Sequence, residues 1–422
     1  MRFIKQIVFL FGGKNIVKDI LFISRIIPEC MDGEVRSKMM NTMDDAAIAW
    51  QNHIISGIEE NTNTPVKLLN FLPIRSYPGY YKDIYIKRST FSHTVGATDI
   101  NLPFLNLVLV KRLFQGISMK REAKKWAKEN NGGDKSVIIY TLYPEFLTAA
   151  SAVKKILPDI KVSAVVLDLP EYSILTKNMG FLNKLYLKWS KKKADKLIGC
   201  VDSFAFLTDE MRYPLGVEDK PYCVIEGIYS DEFGDGFKEK TNTVMYAGTL
   251  HERFGVMKLV RAFEKIKSDD IKLVICGYGD SEDAIKEAAE RDGRIVFAGQ
   301  LKRDDVMKLM LNASVIVNPR ENKEEFTKYS FPSKNLEALS SGVPLIGYKL
   351  DGIPDEYDEF INYPIDDSDD ALAKCIFDVC RDENGVYTQK SKLAKDWVRK
   401  NKNSRTQAEK LLNLILESNS EQ

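Results

Sequence analysis

The sequence predicts an α/β protein with two doubly wound, Rossmann-like domains followed by C-terminal helices. Three observations predict this fold. Short apolar runs typical of strands alternate with segments of helical periodicity, which indicates parallel sheets covered by helices on both faces. The alternation stops in a charged stretch at 229–242 and then restarts. At 422 residues, the chain is also too long for one ordinary hydrophobic core.

The first half of the chain, residues 1–228, is predicted as the N-terminal domain. Ile20, Leu21 and Phe22 are bulky and contiguous, as in a strand that is buried on both faces. The predicted strands are 19–29, 65–74, 136–145, 161–170, 203–208 and 221–228, and the predicted helices are 46–61, 118–130, 146–157 and about 179–195. The stretch 77–101 is rich in Tyr, Gly and Thr, which indicates an irregular or hairpin excursion.

The second half repeats the alternation more regularly. Residues 229–242 are predicted as a linker because they carry many charges and almost no apolar side chains. A second domain then covers 243–390. Its predicted strands are 243–250, 271–279, 294–301, 314–320 and 343–349, and its predicted helices are 256–268, 281–291, 303–312 and 332–341. Residues 391–422 are predicted as C-terminal helices, and their return to the first domain is left open.

The composition excludes several classes of protein. Lys and Arg number 61 against 60 Asp and Glu, so bulk charge favours no nucleic-acid partner. The six cysteines are scattered without a Cys-x-x-Cys pair, which argues against a zinc site and for a reducing, cytoplasmic setting. No run of apolar residues is long enough for a membrane-spanning helix.

The N-terminal segment 1–18 allows two interpretations. Its apolar core is short and no small-residue cleavage site follows, so a signal peptide is not favoured. Apolar side chains beside Arg2 and Lys5 fit peripheral contact with the inner face of a membrane. They equally fit an element packed on the core. The basic run at 188–196 is typical of a solvated helix face, with anionic lipid headgroups as the alternative partner.

Several strands of the second half end in residues suited to a ligand. Gly248 and Thr249 follow one strand, Gly277 and Gly279 follow the next, and Arg320 ends a third. Glycines at strand ends let a ligand approach the backbone and its N–H donors. Because the carboxyl ends of parallel strands meet at one edge, these residues are predicted to line one site.

The helix predicted at 332–341 carries a polar stripe. Its first N–H groups are unpaired and carry partial positive charge, and Ser330, Ser333 and Lys334 add donors beside them. This combination predicts an anion site suited to phosphate. Glu337 lies one turn further on the same face, where it could accept hydrogen bonds from ribose hydroxyls. The alternative is a plain Lys334–Glu337 ion pair, worth about 0.2–0.5 kcal/mol.

Four segments together carry a resemblance to a known family. They are "YAGTLHERFGVMKLVRAFEKI", "LVICGYGD", "IVFAGQLKRDDVMKLMLNASVIVNPR" and "FPSKNLEALSSGVPLIG". Their order and spacing resemble the C-terminal domain of family 4 glycosyltransferases, closely over about 240–350 and in general layout over 19–228. The resemblance implies the GT-B fold, with two domains facing a central cleft. It also implies a retaining transferase that uses a nucleotide-sugar donor, with no essential metal.

Carried over to this chain, the resemblance places Glu337 at the donor ribose. A second glutamate, facing the donor sugar, would stand eight residues earlier, where this chain has Tyr329; Glu324 and Glu325 are out of register. Thr249 stands where the family has a diphosphate-binding arginine. These departures resemble a subgroup of bacterial surface-polysaccharide transferases.

The basic groups that remain would have to neutralise the diphosphate. Phe254 replaces the family's lysine before Gly255, and Arg253 is its neighbour. Lys334, Ser330, Arg320 and Arg253 are therefore the predicted diphosphate contacts.

The first domain offers fewer candidates. Asp168 ends a strand and is predicted to contact the sugar or the acceptor, with a turn or N-cap aspartate as the alternative. His93, in the irregular stretch, is the candidate acceptor contact. His251, at a strand end, could approach the diphosphate.

The predicted reaction is transfer of a sugar to a glycan or lipid-linked acceptor in bacterial polysaccharide biosynthesis. Lys334 and Asp168 are the predicted catalytic residues, with Lys334 stabilising the charge of the leaving diphosphate. No cofactor beyond the nucleotide sugar is expected. Two alternatives stay open: a nucleotide-sugar epimerase of the same fold, and a non-catalytic partner subunit.

Overall fold

The computed structural model describes residues 19–40, 45–108, 110–129, 135–169, 181–229 and 241–417, excluding the side chains of 181–186 and 417. The N-terminal segment 1–18 and most of the predicted linker therefore lie outside the described residues. The described chain divides into two compact units. One contains the described residues of 19–165, 189–203 and 412–417, and the other contains those of 166–188 and 204–411. The predicted domain boundaries stay a prediction.

The first half of the chain forms a mainly parallel sheet. The strands of this half are β1 Asp19–Ser24, β2 Lys67–Asn70, β3 Tyr85–Ile86, β4 Ser89–Phe91, β5 Asp99–Asn101, β6 Phe104–Leu105, β7 Lys135–Tyr140, β8 Lys161–Val166, β9 Ser203–Phe206 and β10 Tyr222–Val224. Of these, β3 and β6 form a separate antiparallel pair. Six of the other strands run in the order β8-β7-β1-β2-β5-β4, with only β4 antiparallel to its neighbour. The excursion predicted at 77–101 supplies β3, β4 and β5.

Helices connect these strands. They are α1 Asp32–Ser37, α2 Asp45–Thr62, α3 Lys111–Glu129, α4 Pro144–Lys154, α5 Phe181–Leu197 and α6 Arg212–Leu215. The first strand stops at Ser24, five residues before its predicted end. Side chains explain the early end, because Gln51 accepts from the N–H of Arg25 (2.8 Å) and Asn70 from that of Ile26 (2.8 Å).

The second unit contains a sheet of six parallel strands. They are β11 Thr243–Ala247, β12 Lys272–Cys276, β13 Ile295–Gly299, β14 Val315–Asn318, β15 Leu345–Gly347 and β16 Ile361–Asn362. Their order is β13-β12-β11-β14-β15-β16, so the chain moves to one side of β11 and then returns to its other side. The topological switch point therefore lies between β11 and β14, where open α/β sheets bind ligands.

Both faces of the second sheet are covered. The helices of this half are α7 Val256–Glu264, α8 Glu282–Arg291, α9 Arg303–Asn312, α10 Ser333–Ser341, α11 Asp369–Arg381, α12 Val386–Asn401 and α13 Ser404–Glu417. Val244 and Tyr246 belong to one buried cluster and Met245 to another, as expected for a strand whose side chains alternate between faces. The predicted doubly wound architecture with C-terminal helices is confirmed. Within the described residues, no helix has the length and apolar character needed to cross a membrane.

Candidate functional site

A cavity of about 210 Å³ opens at the switch point of the second sheet. The loops that follow β11 and β14 border it, together with the first turn of α10. Its walls are formed by Tyr246, Ala247, Gly248, Thr249, Phe254, Met310, Ile316, Val317, Asn318, Arg320, Phe331, Pro332, Ser333, Lys334 and Leu345. The structure thus brings five of the predicted donor-binding residues to one place: Gly248, Thr249, Arg320, Ser333 and Lys334.

Arg320 is the buried cation of this cavity. Only 7% of the residue is exposed, and its Nη2 donates to the Ser330 hydroxyl at 2.5 Å. Its Nε is buried without a hydrogen-bond partner. Burial and then the charge of Arg253 lower the pKa of Arg320 to about 10, so the guanidinium still stays protonated at neutral pH. A buried cation with unused donor capacity suits an anionic ligand.

Two phenylalanines hold the arginines. The Arg253 and Arg320 guanidinium carbons lie 4.1 and 4.4 Å from the Phe326 ring centroid, within the range of cation–π attraction. Arg253 also pairs with Glu324, and its Nε is buried without a partner. Phe254, where the family has lysine, lines the cavity itself. Arg253 does not line it and instead lies behind Phe326 and Glu324.

The first turn of α10 supplies the second positive group. Pro332 precedes the helix and makes no side-chain cap, so the leading N–H groups of the helix stay available. Ser333 and Lys334 line the cavity. The Lys334 ammonium lies 2.8 Å from Glu337 Oε2, so the ion pair considered from the sequence is present. With 45% of its side chain exposed, Lys334 pays little to exchange this partner for a phosphate.

Ser330 and Tyr329 end a short 3₁₀ helix, Glu325–Tyr329. The Ser330 hydroxyl accepts from Arg320 and donates to the Phe326 carbonyl at 3.0 Å. Ser330 therefore positions Arg320. Tyr329 is half-buried and, like Glu337, does not line the cavity.

Two of the predicted glycines act through packing instead. Gly277 has a φ of 143°, and a Cβ there would lie 1.8 Å from the Gly248 carbonyl oxygen. A Cβ on Gly279 would lie 2.5 Å from the Leu250 carbonyl oxygen. Neither lines the cavity. Both allow the loops after β11 and β12 to touch, which shapes the wall at Gly248.

Sequence reasoning missed Asn318 and Phe331, which also line the cavity. Asn318 is the last residue of β14, and its amide donates to the Asn335 side chain at 2.6 Å. A polar residue at the end of a strand could have predicted Asn318 as a site residue. Phe331 carries no such signal, because an apolar residue before a helix is common.

The predicted histidines are engaged elsewhere. In the first unit, His93 binds Glu59 through Nε2 (2.8 Å) and Asp99 through Nδ1 (2.6 Å). Burial lowers its pKa, but the hydrogen bonds to Asp99 and Glu59 outweigh burial and raise the pKa to about 9. Asp99 begins β5 and therefore lies at the amino edge of the parallel strands. This geometry gives His93 a structural role and does not support the predicted acceptor contact.

Two further candidates lie outside the cavity wall. Asp168 is exposed, two residues beyond the end of β8. His251 pairs with Asp280 at 2.8 Å. Among the residues that the structure describes, no group of three His, Cys, Asp or Glu side chains is placed to hold a metal ion.

Comparison with known proteins gives a family match over part of the chain. Residues 230–404 match the family described as "Glycosyl transferases group 1". Over 148 residues the chain is 27% identical to a phosphatidyl-myo-inositol mannosyltransferase of Mycolicibacterium smegmatis. That match spans 34% of this chain and 37% of the relative's length.

Solved structures match over almost the whole chain. The lipopolysaccharide outer core galactosyltransferase WaaB matches with a TM-score of 0.59 and 14% identity, covering 94% of this chain and 99% of WaaB. The Anabaena protein HepE, solved in complex with UDP and glucose, matches with a TM-score of 0.53 and 12% identity, covering 95% of this chain and 100% of HepE. The fold is therefore GT-B, and the similarities together support a glycosyltransferase.

Proposed function

We propose that this protein is a retaining glycosyltransferase. It moves a sugar from a nucleotide-sugar donor to a glycan or lipid-linked acceptor in bacterial polysaccharide or glycolipid biosynthesis. The cavity between β11 and β14 is the donor site in this proposal. Support comes from the family match, which covers this cavity, and from similar proteins whose names describe sugar transfer.

Arg320 is the observation that carries the proposal. A guanidinium that is 7% exposed, with an unpartnered Nε and no ion pair to a carboxylate among the described residues, needs an anion to complete its environment. The start of α10 and Lys334 line the same cavity, so three positive groups converge there. A nucleoside diphosphate matches them in charge and in acceptor oxygens.

The same groups serve the chemistry of transfer. Charge develops on the diphosphate as its bond to the sugar breaks, and preorganised donors stabilise that charge. In this proposal Arg320 and Lys334 hold the leaving phosphate oxygens, and Ser330 fixes the orientation of Arg320. The acceptor hydroxyl gives its proton to the leaving phosphate, and its oxygen bonds to the anomeric carbon on the same face that the phosphate leaves, so the anomeric configuration is retained. Glu337 orients Lys334 and binds the donor ribose.

Other assignments complete the site. Asp168 contacts the donor sugar or the acceptor, and Tyr329 influences which donor sugar is accepted. No metal is needed, because the cationic groups replace it. These assignments rest on the resemblance together with the exposed position of Asp168 at a strand end.

Peripheral membrane contact is part of the proposal, and the outward face of α3 supports it. Leu113, Phe114 and Ile117 are 63%, 43% and 58% exposed there. Further along the same face stand Lys120, Lys124 and Lys128, none of which pairs with a carboxylate in the described part of the chain. Exposed apolar side chains beside uncompensated lysines fit an anionic lipid surface.

Co-sedimentation with vesicles tests this surface. The double variant Leu113→Ser/Ile117→Ser should lose most binding to vesicles of phosphatidylglycerol, because the inserted apolar area is removed. The matched control is Val386→Ser/Leu393→Ser, which changes two residues of α12 with 59% and 57% exposure. Equal vesicle binding by both variants would show that the outward face of α3 is not the membrane contact.

An assay of released nucleoside diphosphate tests the proposed function. Common nucleotide sugars are supplied with and without membrane lipids as acceptor. Release that depends on acceptor, and that Lys334→Ala reduces about tenfold or more, is the expected result. Conversion of the donor to another nucleotide sugar without any acceptor, followed by chromatography of the same samples, would favour the epimerase. If no nucleotide raises the thermal unfolding midpoint of the protein, the non-catalytic partner subunit is favoured. Thr249 and Tyr329, which depart from the family pattern, are the reason for considering that alternative.

A further inference from the structure

The first unit carries a second group of cations that the donor site does not use. β1 pairs with β2 on one side and with β7 on the other, so the switch point of this sheet lies between β1 and β7. Arg25 directly follows β1. Tyr143 follows β7 and precedes α4. Both residues therefore stand at the edge where such sheets bind ligands.

Two guanidinium groups meet at the Tyr143 ring. The guanidinium carbons of Arg25 and Arg112 lie 5.1 and 4.6 Å from its centroid. Arg112 pairs with Glu145. Arg25 has no carboxylate partner in the described part of the chain, and its Nε is buried without any hydrogen bond. Glu145 is therefore engaged by Arg112 and leaves the charge of Arg25 uncompensated.

Lys111 adds a third, deeply buried basic group. It is 6% exposed, and its ammonium donates to the Ile74 carbonyl at 2.5 Å. Burial first, and then the charges of Arg25 and Arg112, lower the pKa of Lys111 to about 6, against a smaller opposing effect of Glu145. Lys111 directly precedes Arg112 in α3, and both arginine charges act on it.

The start of α4 adds to this positive region. Tyr143 precedes the 11-residue helix without a side-chain cap, and Pro144 opens it. The leading N–H groups and the helix dipole therefore favour negative charge at this end. Like charges that lie together at a strand edge repel one another and do not stabilise the fold. An anion that binds there would relieve the repulsion and complete the hydrogen bonding of Arg25.

We propose that Arg25, Lys111 and Arg112 form an anion site for a phosphate group of the acceptor. The inference rests on the proposed transferase function, and it narrows the acceptor to a phosphorylated glycan or a lipid phosphate. Arg25 and Arg112 provide planar guanidinium groups, which suit the oxygens of phosphate. Bound phosphate restores the charge of Lys111 by compensating its neighbours.

Calorimetric titration of the full chain with glucose 1-phosphate tests the site while a saturating nucleoside diphosphate occupies the donor cavity. Arg25→Gln should weaken phosphate binding about tenfold or more, because it removes a charge-assisted contact. Its unfolding midpoint should stay unchanged or rise, since an unpartnered cation is lost; a merely structural arginine would lower it. Arg75→Gln is the control, because Arg75 is an exposed arginine stacked on Tyr80.

A second titration with dihexanoyl phosphatidic acid distinguishes the two sources of phosphate. Arg25-dependent binding of glucose 1-phosphate alone identifies a glycan phosphate, and Arg25-dependent binding of the short-chain lipid identifies a lipid phosphate. Absence of both, or equal binding by wild type and Arg25→Gln, overturns the proposal. Nucleotide binding is measured in the same samples, so a failure of the donor site would be seen separately.

Discussion

At the scale of single residues, buried charges reveal more than the motifs do. Arg320 keeps a pKa of about 10 despite burial and retains an unpartnered Nε, which marks it as a ligand contact. Lys402 is even more deeply buried, but carboxylates compensate its charge. It pairs with Glu226 and Glu356, and its ammonium lies 5.1 Å from the Tyr357 ring centroid. A buried cation that is paired with carboxylates therefore has a structural role, whereas one with unused donors is suited to bind a ligand.

Replacing Lys402 tests its structural role. Lys402→Met leaves Glu226, whose side chain is 1% exposed, without its counter-charge. The expected loss is about 3–5 kcal/mol in the free energy of unfolding, measured by urea denaturation. The control Lys374→Met breaks an exposed pair with Asp378 and should change stability by less than about 0.5 kcal/mol. Similar effects of the two substitutions would contradict this account.

His93 predicts a pH dependence of stability. Its pKa is raised from 6.5 to about 9 in the folded chain, so the protonated form stabilises the fold. That stability is fully present below pH 6.5 and is lost as pH rises through about 9. The raised pKa corresponds to a contribution on the order of 3 kcal/mol to the free energy of unfolding. His93→Gln should flatten the decline of the unfolding free energy over this window, and an unchanged slope would show that other groups cause it.

At the scale of elements, loops and helix starts shape the donor cavity. Gly277 lets the loop after β12 touch the loop after β11, since any Cβ would overlap the Gly248 carbonyl. The sequence indicated that these glycines matter but not that they act by packing. The contact joins residues 29 positions apart, so it depends on strand order rather than on local pattern.

Gly277→Ala should therefore disturb both stability and the cavity. A strained φ and a displaced Gly248 should lower the free energy of unfolding by about 2 kcal/mol or more and weaken nucleotide binding. Gly293→Ala is the control, because nothing lies within 4 Å of its added Cβ. Thermal unfolding and nucleotide titration measure both effects. Nucleotide affinity that is unchanged in Gly277→Ala would separate this loop from the site.

Element order in the second half could be predicted from the sequence because buried parallel strands read as continuous apolar runs. The helix predicted at 332–341 occurs at Ser333–Ser341. By contrast, α3 begins at Lys111 rather than at 118, because its first turn carries two basic residues and no start signal. The two-residue strand β16 had no periodicity to reveal it.

At the scale of the whole molecule, each unit has a cationic site at the switch point of its own sheet. The donor cavity lies beside β11 and β14, and the Arg25 group lies beside β1 and β7. The strand-end and helix-start residues of the donor site could be predicted from the sequence. The Arg25 group could not, because Arg25, Lys111 and Tyr143 are far apart in the chain and no local pattern joins them. For the same reason, the sequence could not predict the pairing of His93 with Glu59, which lies 34 residues away.

In the proposed donor site, the cavity at β11 and β14 binds a nucleoside diphosphate through Arg320 and Lys334. Isothermal titration of UDP and GDP into wild type, Arg320→Gln and Arg381→Gln measures this binding most directly. Arg381 is a suitable control because it forms an exposed ion pair with Asp270, remote from the cavity wall. We predict that one of the diphosphates binds to wild type and Arg381→Gln alike, and about tenfold or more weakly to Arg320→Gln. Equal affinity of all three proteins for that nucleotide, or no binding of either nucleotide to wild type, would contradict the account.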